Sequence, residues 1–189
     1  MDTKRVRRLN VPVTGWVDFL LYFHHRRIAQ ELQEISLQLD KSDRRILEIG
    51  AGGKPCKKFF PKARYMCTDV VWHDGIDQLT DVSNMPYRDN SLDLVICNNV
   101  LEHIPTPERA VDEIRRCLRP EGNLFLVVPF LFPLHDIPHD YFRFTEYSLA
   151  NLFHEWRVID IKKVYWLGCI SKLSYARRFV LYYIVIAAK

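Results

Sequence analysis

The sequence predicts an α/β protein: a doubly wound, mostly parallel sheet with helices on both faces. Three observations carry this. Short, nearly continuous apolar segments recur along the chain, the mark of strands buried on both sides. Segments with helical spacing separate several of them. The first apolar segment ends in glycines, where a ligand-binding turn belongs in such a sheet.

The elements follow in order. Residues 1–44 form a basic segment and an amphipathic helix that packs on the core, and 45–189 form the main domain. Lys4, Arg5, Arg7 and Arg8 crowd the N-terminus, followed by Arg26/Arg27 and Arg44/Arg45. From Trp16 to Leu39 the apolar residues 16, 19, 20, 23, 28, 32, 35 and 39 fall mostly on one helical face. RILEIG (45–50), ARYMCTDVV (63–71) and LDLVICNN (92–99) read as buried strands. TPERAVDEIRRCLRPEG (106–122) reads as a helix, with Thr106 as cap, Pro107 in the first turn, and Pro120 and Gly122 as its stop. NLFLVVP (123–129) is a further strand, TEYSLANLFHEW (145–156) a helix capped by Thr145, and RVIDIKKVYW (157–166) a strand. FVLYYIVIAAK (179–189), rich in β-branched and aromatic residues, reads as a final antiparallel strand. The competing reading is an amphipathic helix from Ser171, with Arg177 and Arg178 at a membrane surface.

Bulk properties narrow the classes. A chain of 189 residues holds one domain with a sizeable core. A composition 48% hydrophobic and 26% charged excludes a disordered chain. The net charge of +4 permits an anionic partner without requiring one. The five cysteines are odd in number and lack CxxC spacing, which fits a reducing compartment. No signal peptide is visible, and the longest apolar run, 179–188, is about half of a bilayer span. The expected location is cytoplasmic.

Ligands of such sheets bind outside the carboxyl ends of the strands. There, Gly50 and Gly52 in LEIGAGGKP allow a tight turn and close backbone approach. Pro55 suits the first turn of a following helix, whose N–H groups attract an anion. The second strand ends at Asp69, placed to accept hydrogen bonds from ribose hydroxyls. A nicotinamide dinucleotide is disfavoured, because GxGxxG requires glycine where Pro55 stands. Glu48, before the first glycine, would serve a cationic group instead.

ILEIGAGG, CTDV, TDVSNMPYRDNSLDLVICNNVLEHI, EIRRCLRPEGNLFLVVP and PHDYFRFT together resemble the class I S-adenosylmethionine-dependent methyltransferases, particularly the type 11 group. The likeness spans roughly Arg45 to Tyr165. It implies a Rossmann-like sheet of seven strands, or a truncated six, and S-adenosylmethionine as cofactor. It places Glu48, Gly50, Ala51 and Gly52 near the methionine part, Asp69 on the ribose, Asp81 and Val82 at the adenine, and Asn98 at the methyl end. Lys54 departs from the family, which often has a third glycine there; its ammonium either meets the cofactor carboxylate or points to solvent. His103, in NNVLEHI, is expected to shape the pocket rather than to catalyse.

HDIPHDYFRFT (135–145) leaves the carboxyl edge of the sheet beside the cofactor. His135 and His139 are candidate general bases for an oxygen or nitrogen acceptor, with Asp136 or Asp140 orienting them. Tyr141 and Arg143 would shape the pocket or hold an anionic acceptor. The alternative is mutual capping within the loop, with Arg143 paired to an aspartate. A metal site is not expected, since Pro138 breaks the ligand run and no further Cys or His cluster completes it. The expected activity is methyl transfer to an O or N acceptor, small or anionic, over the carboxyl ends of the fourth and fifth strands. Its alternative is a non-catalytic cofactor-binding module of the same fold. The basic N-terminus is compatible with nucleic acid, although no RNA-binding motif is present.

Overall fold

The computed structural model describes residues 16–52, 56–165 and 180–189, with side chains from His25 onward and without that of Val158. Among the described residues, ten α-helices and strands follow in chain order. They are α1 (Trp16–Leu39), β1 (Arg45–Ile49), β2 (Arg64–Asp69), β3 (Gln78–Leu79), β4 (Leu92–Asn98), α2 (Pro107–Cys117), β5 (Leu118–Pro129), α3 (Glu146–Leu152), β6 (Val158–Tyr165) and β7 (Val180–Ala188). One sheet takes the order β3-β2-β1-β4-β5-β7-β6. β7 runs antiparallel to both neighbours, and the other pairings are parallel. The expected seven strands and the antiparallel C-terminal strand are therefore present. The helical alternative is excluded over 180–188; residues 171–179 lie outside the described region.

The apolar strands are buried on both sides, and their alternation divides the core. Leu47, Ile49, Val95, Cys97, Leu124 and Leu126 share one cluster with Ala110, Val111 and Ile114 of α2 and Leu149 of α3. Ile46, Leu94, Ile96, Phe125 and Val127 share the other with Ile28 and Leu32 of α1. Lys162 of β6 also bonds Glu31 of α1 at 2.6 Å, tying the first helix to the far edge of the sheet. Cys56, Cys67, Cys97 and Cys117 are free and buried, as small apolar residues are.

Three boundaries differ from expectation. The helix read over 106–122 stops at Cys117, and Leu118 already pairs with Leu92. Pro120 would clash with the Arg116 carbonyl in a continued helix; that carbonyl accepts from the Asn90 N–H instead. Thr106 precedes the helix without a side-chain cap, whereas Thr145 forms a capping box with Ser148. The helix expected after the glycine turn is, within the described residues, a single 3₁₀ turn over Cys56–Phe59, because Pro61 follows at once. The short strand β3 was not anticipated.

Candidate functional site

Strand order reverses between β1 and β4, so their carboxyl ends open a crevice. A cavity of about 640 Å³ occupies it. Gly50, Gly52, Asp69, Asp81 and Val82 line it, together with Asn99, Val100, His103, Asp136 and His139. Five of the eight expected cofactor residues thus meet at one cavity.

The glycines are required by geometry. Gly50 has φ +64°, and a Cβ there would lie 2.2 Å from Val100 Cγ2, itself a wall of the cavity. Gly52 has φ +55°, and its N–H donates to Asp69 Oδ2 at 3.0 Å. Asp69 Oδ1 accepts from the Val71 N–H at 3.1 Å, so the β1 and β2 turns are braced by one carboxylate. Asp81 Oδ1 accepts from the Ser83 N–H at 2.8 Å, fixing the loop that carries Val82. Val70 and Val71 are exposed apolar residues on the same wall.

The remaining three are not among the lining residues. Glu48 is buried, and its Oε2 accepts from the Cys56 N–H and the Tyr65 O–H, each at 2.8 Å. Burial raises its pKa above the ordinary carboxylate value, against these two bonds. In this arrangement Glu48 holds the turn after β1. Ala51 is buried and donates its N–H to the Thr68 carbonyl. Asn98 ends β4 with its amide oxygen buried and, among the described residues, unpartnered. Asn99 is the asparagine that lines the cavity: its φ of +55° turns the chain out of the strand, a conformation Asn tolerates. Its amide oxygen is also buried without a partner among the described residues. Lys54 and Pro55 lie outside the described residues.

The 135–145 segment folds over the cavity's edge. The Tyr141 and Phe142 N–H groups both donate to the Glu102 carbonyl, docking it on the 3₁₀ turn Leu101–His103. His139 lines the cavity, with Nδ1 2.9 Å from the Tyr141 hydroxyl. His135 is not a lining residue. Its Nδ1 lies 3.3 Å from Asp140 Oδ2 and its Nε2 3.6 Å from Glu102 Oε1. The Glu102 carboxylate and then Asp140 raise the His135 pKa against its burial. Arg143 grips both oxygens of Asp140, at 2.5 and 2.7 Å, and holds that carboxyl down at about 2. The aspartate pairing weighed for Arg143 is present.

Comparison with known proteins agrees with this fold. A Methanocaldococcus jannaschii protein of uncharacterised function is 38% identical over 122 residues, covering 62% of this chain and 48% of its own. An uncharacterised methyltransferase of Mycobacterium tuberculosis is 32% identical over 111 residues, covering 50% and 44%. The chain therefore spans about half the length of these curated relatives. The fold matches the 1,6-didemethyltoxoflavin-N1-methyltransferase of Burkholderia thailandensis, solved with that substrate and S-adenosylhomocysteine bound. The TM-score is 0.63 at 20% identity, covering 100% of this chain and 97% of that one. Residues 20–177 match the model of the methyltransferase domain, and the chain belongs to that family.

Proposed function

We propose that this chain binds S-adenosylmethionine in the cavity between β1 and β4 and transfers its methyl group to an oxygen or nitrogen acceptor. The observation that carries the reading is the convergence of Gly50, Gly52, Asp69, Asp81 and Val82 on one cavity that also contains His139. Asp69 has two oxygens and only one backbone donor on each, leaving lone pairs for ribose hydroxyls. Val70, Val71 and Val82 offer apolar surface to the adenine, with Asp81 beside them. The likeness to an enzyme solved with S-adenosylhomocysteine supports the same cofactor class.

The cofactor supplies an activated methyl on a sulfonium. The chain's part is to align the acceptor, exclude water and remove a proton. In the tautomer whose Nδ1–H donates to the Tyr141 oxygen 2.9 Å away, His139 presents Nε2 as the proton acceptor. His139 Nε2 would take the proton that the acceptor loses as the methyl group is transferred to it.

A methyl-transfer screen with labelled cofactor over hydroxyl and amine acceptors tests this. His139→Asn is expected to lower the rate by ~10²–10⁴-fold, the contribution of a positioned base, with S-adenosylhomocysteine affinity nearly unchanged. An unaltered rate removes His139 from the chemistry.

A further inference from the structure

We infer that Glu102, His103 and His135 form a divalent-cation site beside the cofactor cavity, which His103 lines. The inference rests on the proposed cofactor site, because His103 belongs to both. Glu102 is fully buried, and neither of its carboxylate oxygens has a hydrogen-bond partner among the described residues. A buried carboxylate is costly unless something positive meets it. Nearest to its Oε1 are two imidazole nitrogens beyond hydrogen-bonding reach, His135 Nε2 at 3.6 Å and His103 Nε2 at 3.8 Å, with Arg143 and Tyr182 also close enough to interact with the carboxylate. All three donor atoms lie within 4.8 Å of one another. Donors about 2.1 Å from a common ion stand roughly 3.4 Å apart in tetrahedral geometry, so small side-chain shifts close the set.

The surroundings of the two imidazoles suit ligands. A metal-bound histidine characteristically donates its other ring N–H to a carbonyl or carboxylate. His103 Nδ1 lies 2.8 Å from the His139 carbonyl, and His135 Nδ1 lies 3.3 Å from both Asp140 Oδ2 and the Pro133 carbonyl. Each contact leaves Nε2 as the lone pair, and both Nε2 atoms face Glu102 Oε1. Asp140 is in turn held by Arg143, so these two residues orient a ligand instead of binding directly. Two imidazoles and one carboxylate suit a divalent ion of the zinc or manganese type and leave coordination positions open. A cation here would hold an acceptor hydroxyl next to the methyl group and favour loss of its proton to His139.

Calorimetric titration of the chelator-stripped full chain with Mn²⁺, and separately with Zn²⁺, tests the site; a parallel titration with S-adenosylhomocysteine tests the cavity. One cation per chain is expected. Glu102→Gln and His135→Asn should each weaken it more than tenfold, and Asp140→Asn by ~10–100-fold through His135. His154→Asn, on the exposed surface, should leave it unchanged. If Glu102→Gln fails to fold, His135→Asn, whose side chain is 27% exposed, decides the matter. Binding of S-adenosylhomocysteine without saturable binding of either cation overturns the cation site alone, as does equal cation affinity in parent and His135→Asn. Failure of S-adenosylhomocysteine to bind overturns the cofactor site beneath it.

Discussion

Asp69 combines two tasks that a substitution can separate. Its carboxylate braces the Gly52 and Val71 N–H groups and, in the proposed complex, also accepts from the ribose. Asp69→Ala is expected to weaken S-adenosylhomocysteine binding by roughly 1–3 kcal/mol, the range for polar groups left without a partner. Calorimetry on the folded variant measures it. Asp81→Ala should act similarly through the adenine. Gly50 makes a sharper case. A methyl group at φ +64° and 2.2 Å from Val100 forces the cavity wall to move. Gly50→Ala should therefore lower the thermal midpoint and abolish cofactor binding, whereas Gly52→Ala, whose Cβ meets nothing nearer than 3.8 Å, should be milder. Equal effects from the two would contradict the role of Val100.

At the scale of elements, the loop after β3 is held by a helix that never reaches the cavity. Glu113 of α2 accepts from the Met85 N–H, and Arg116 donates to the Met85 and Tyr87 carbonyls and to Asp89. Arg116 also bonds both oxygens of Glu113 and lowers its pKa below the ordinary 4.5. A depressed carboxylate stabilises the fold above its unfolded pKa, and that contribution is lost as the pH falls below it. Urea unfolding at neutral pH and below pH 4.5 should show a smaller acid loss in Glu113→Gln than in the parent. Arg116→Ala should loosen the Asp81–Asp89 loop and weaken cofactor binding without touching the cofactor.

The same clamp shows what was legible beforehand. The strands other than β3 are readable because each is an apolar run, Gly50, Gly52 and Asp69 because strand ends carry the ligand in this topology, and Asp81 and Val82 through the family resemblance. Asn99 was missed for Asn98 because a left-handed residue at a strand end breaks the alternation that assigns sides. Glu102 and Tyr65 were missed because their partners lie on other strands or loops, and spacing along the chain carries no trace of them. The Asn-Asn pair after four apolar residues was the one available signal. The helix read over 106–122, with Pro120 and Gly122 as its stop, ends earlier at Cys117, because Leu118 already pairs with Leu92 across the sheet, and spacing along the chain carries no trace of that partner.

On the scale of the whole molecule, one sheet separates two tasks. α1 covers one face, α2 and α3 cover the other, and the carboxyl ends of β1 and β4 are left for the ligand. Among the described residues no helix is long and apolar enough to cross a membrane. Arg44, part of the basic character of the N-terminal region, is paired with Asp93 at 2.8 Å. It immediately precedes β1, at the opposite end of that strand from Gly50. Calorimetric titration of the folded chain with S-adenosylhomocysteine tests the account most directly. The account predicts one saturable site per chain, weakened by Asp69→Ala and abolished by Gly50→Ala; no saturable binding at millimolar ligand would contradict it.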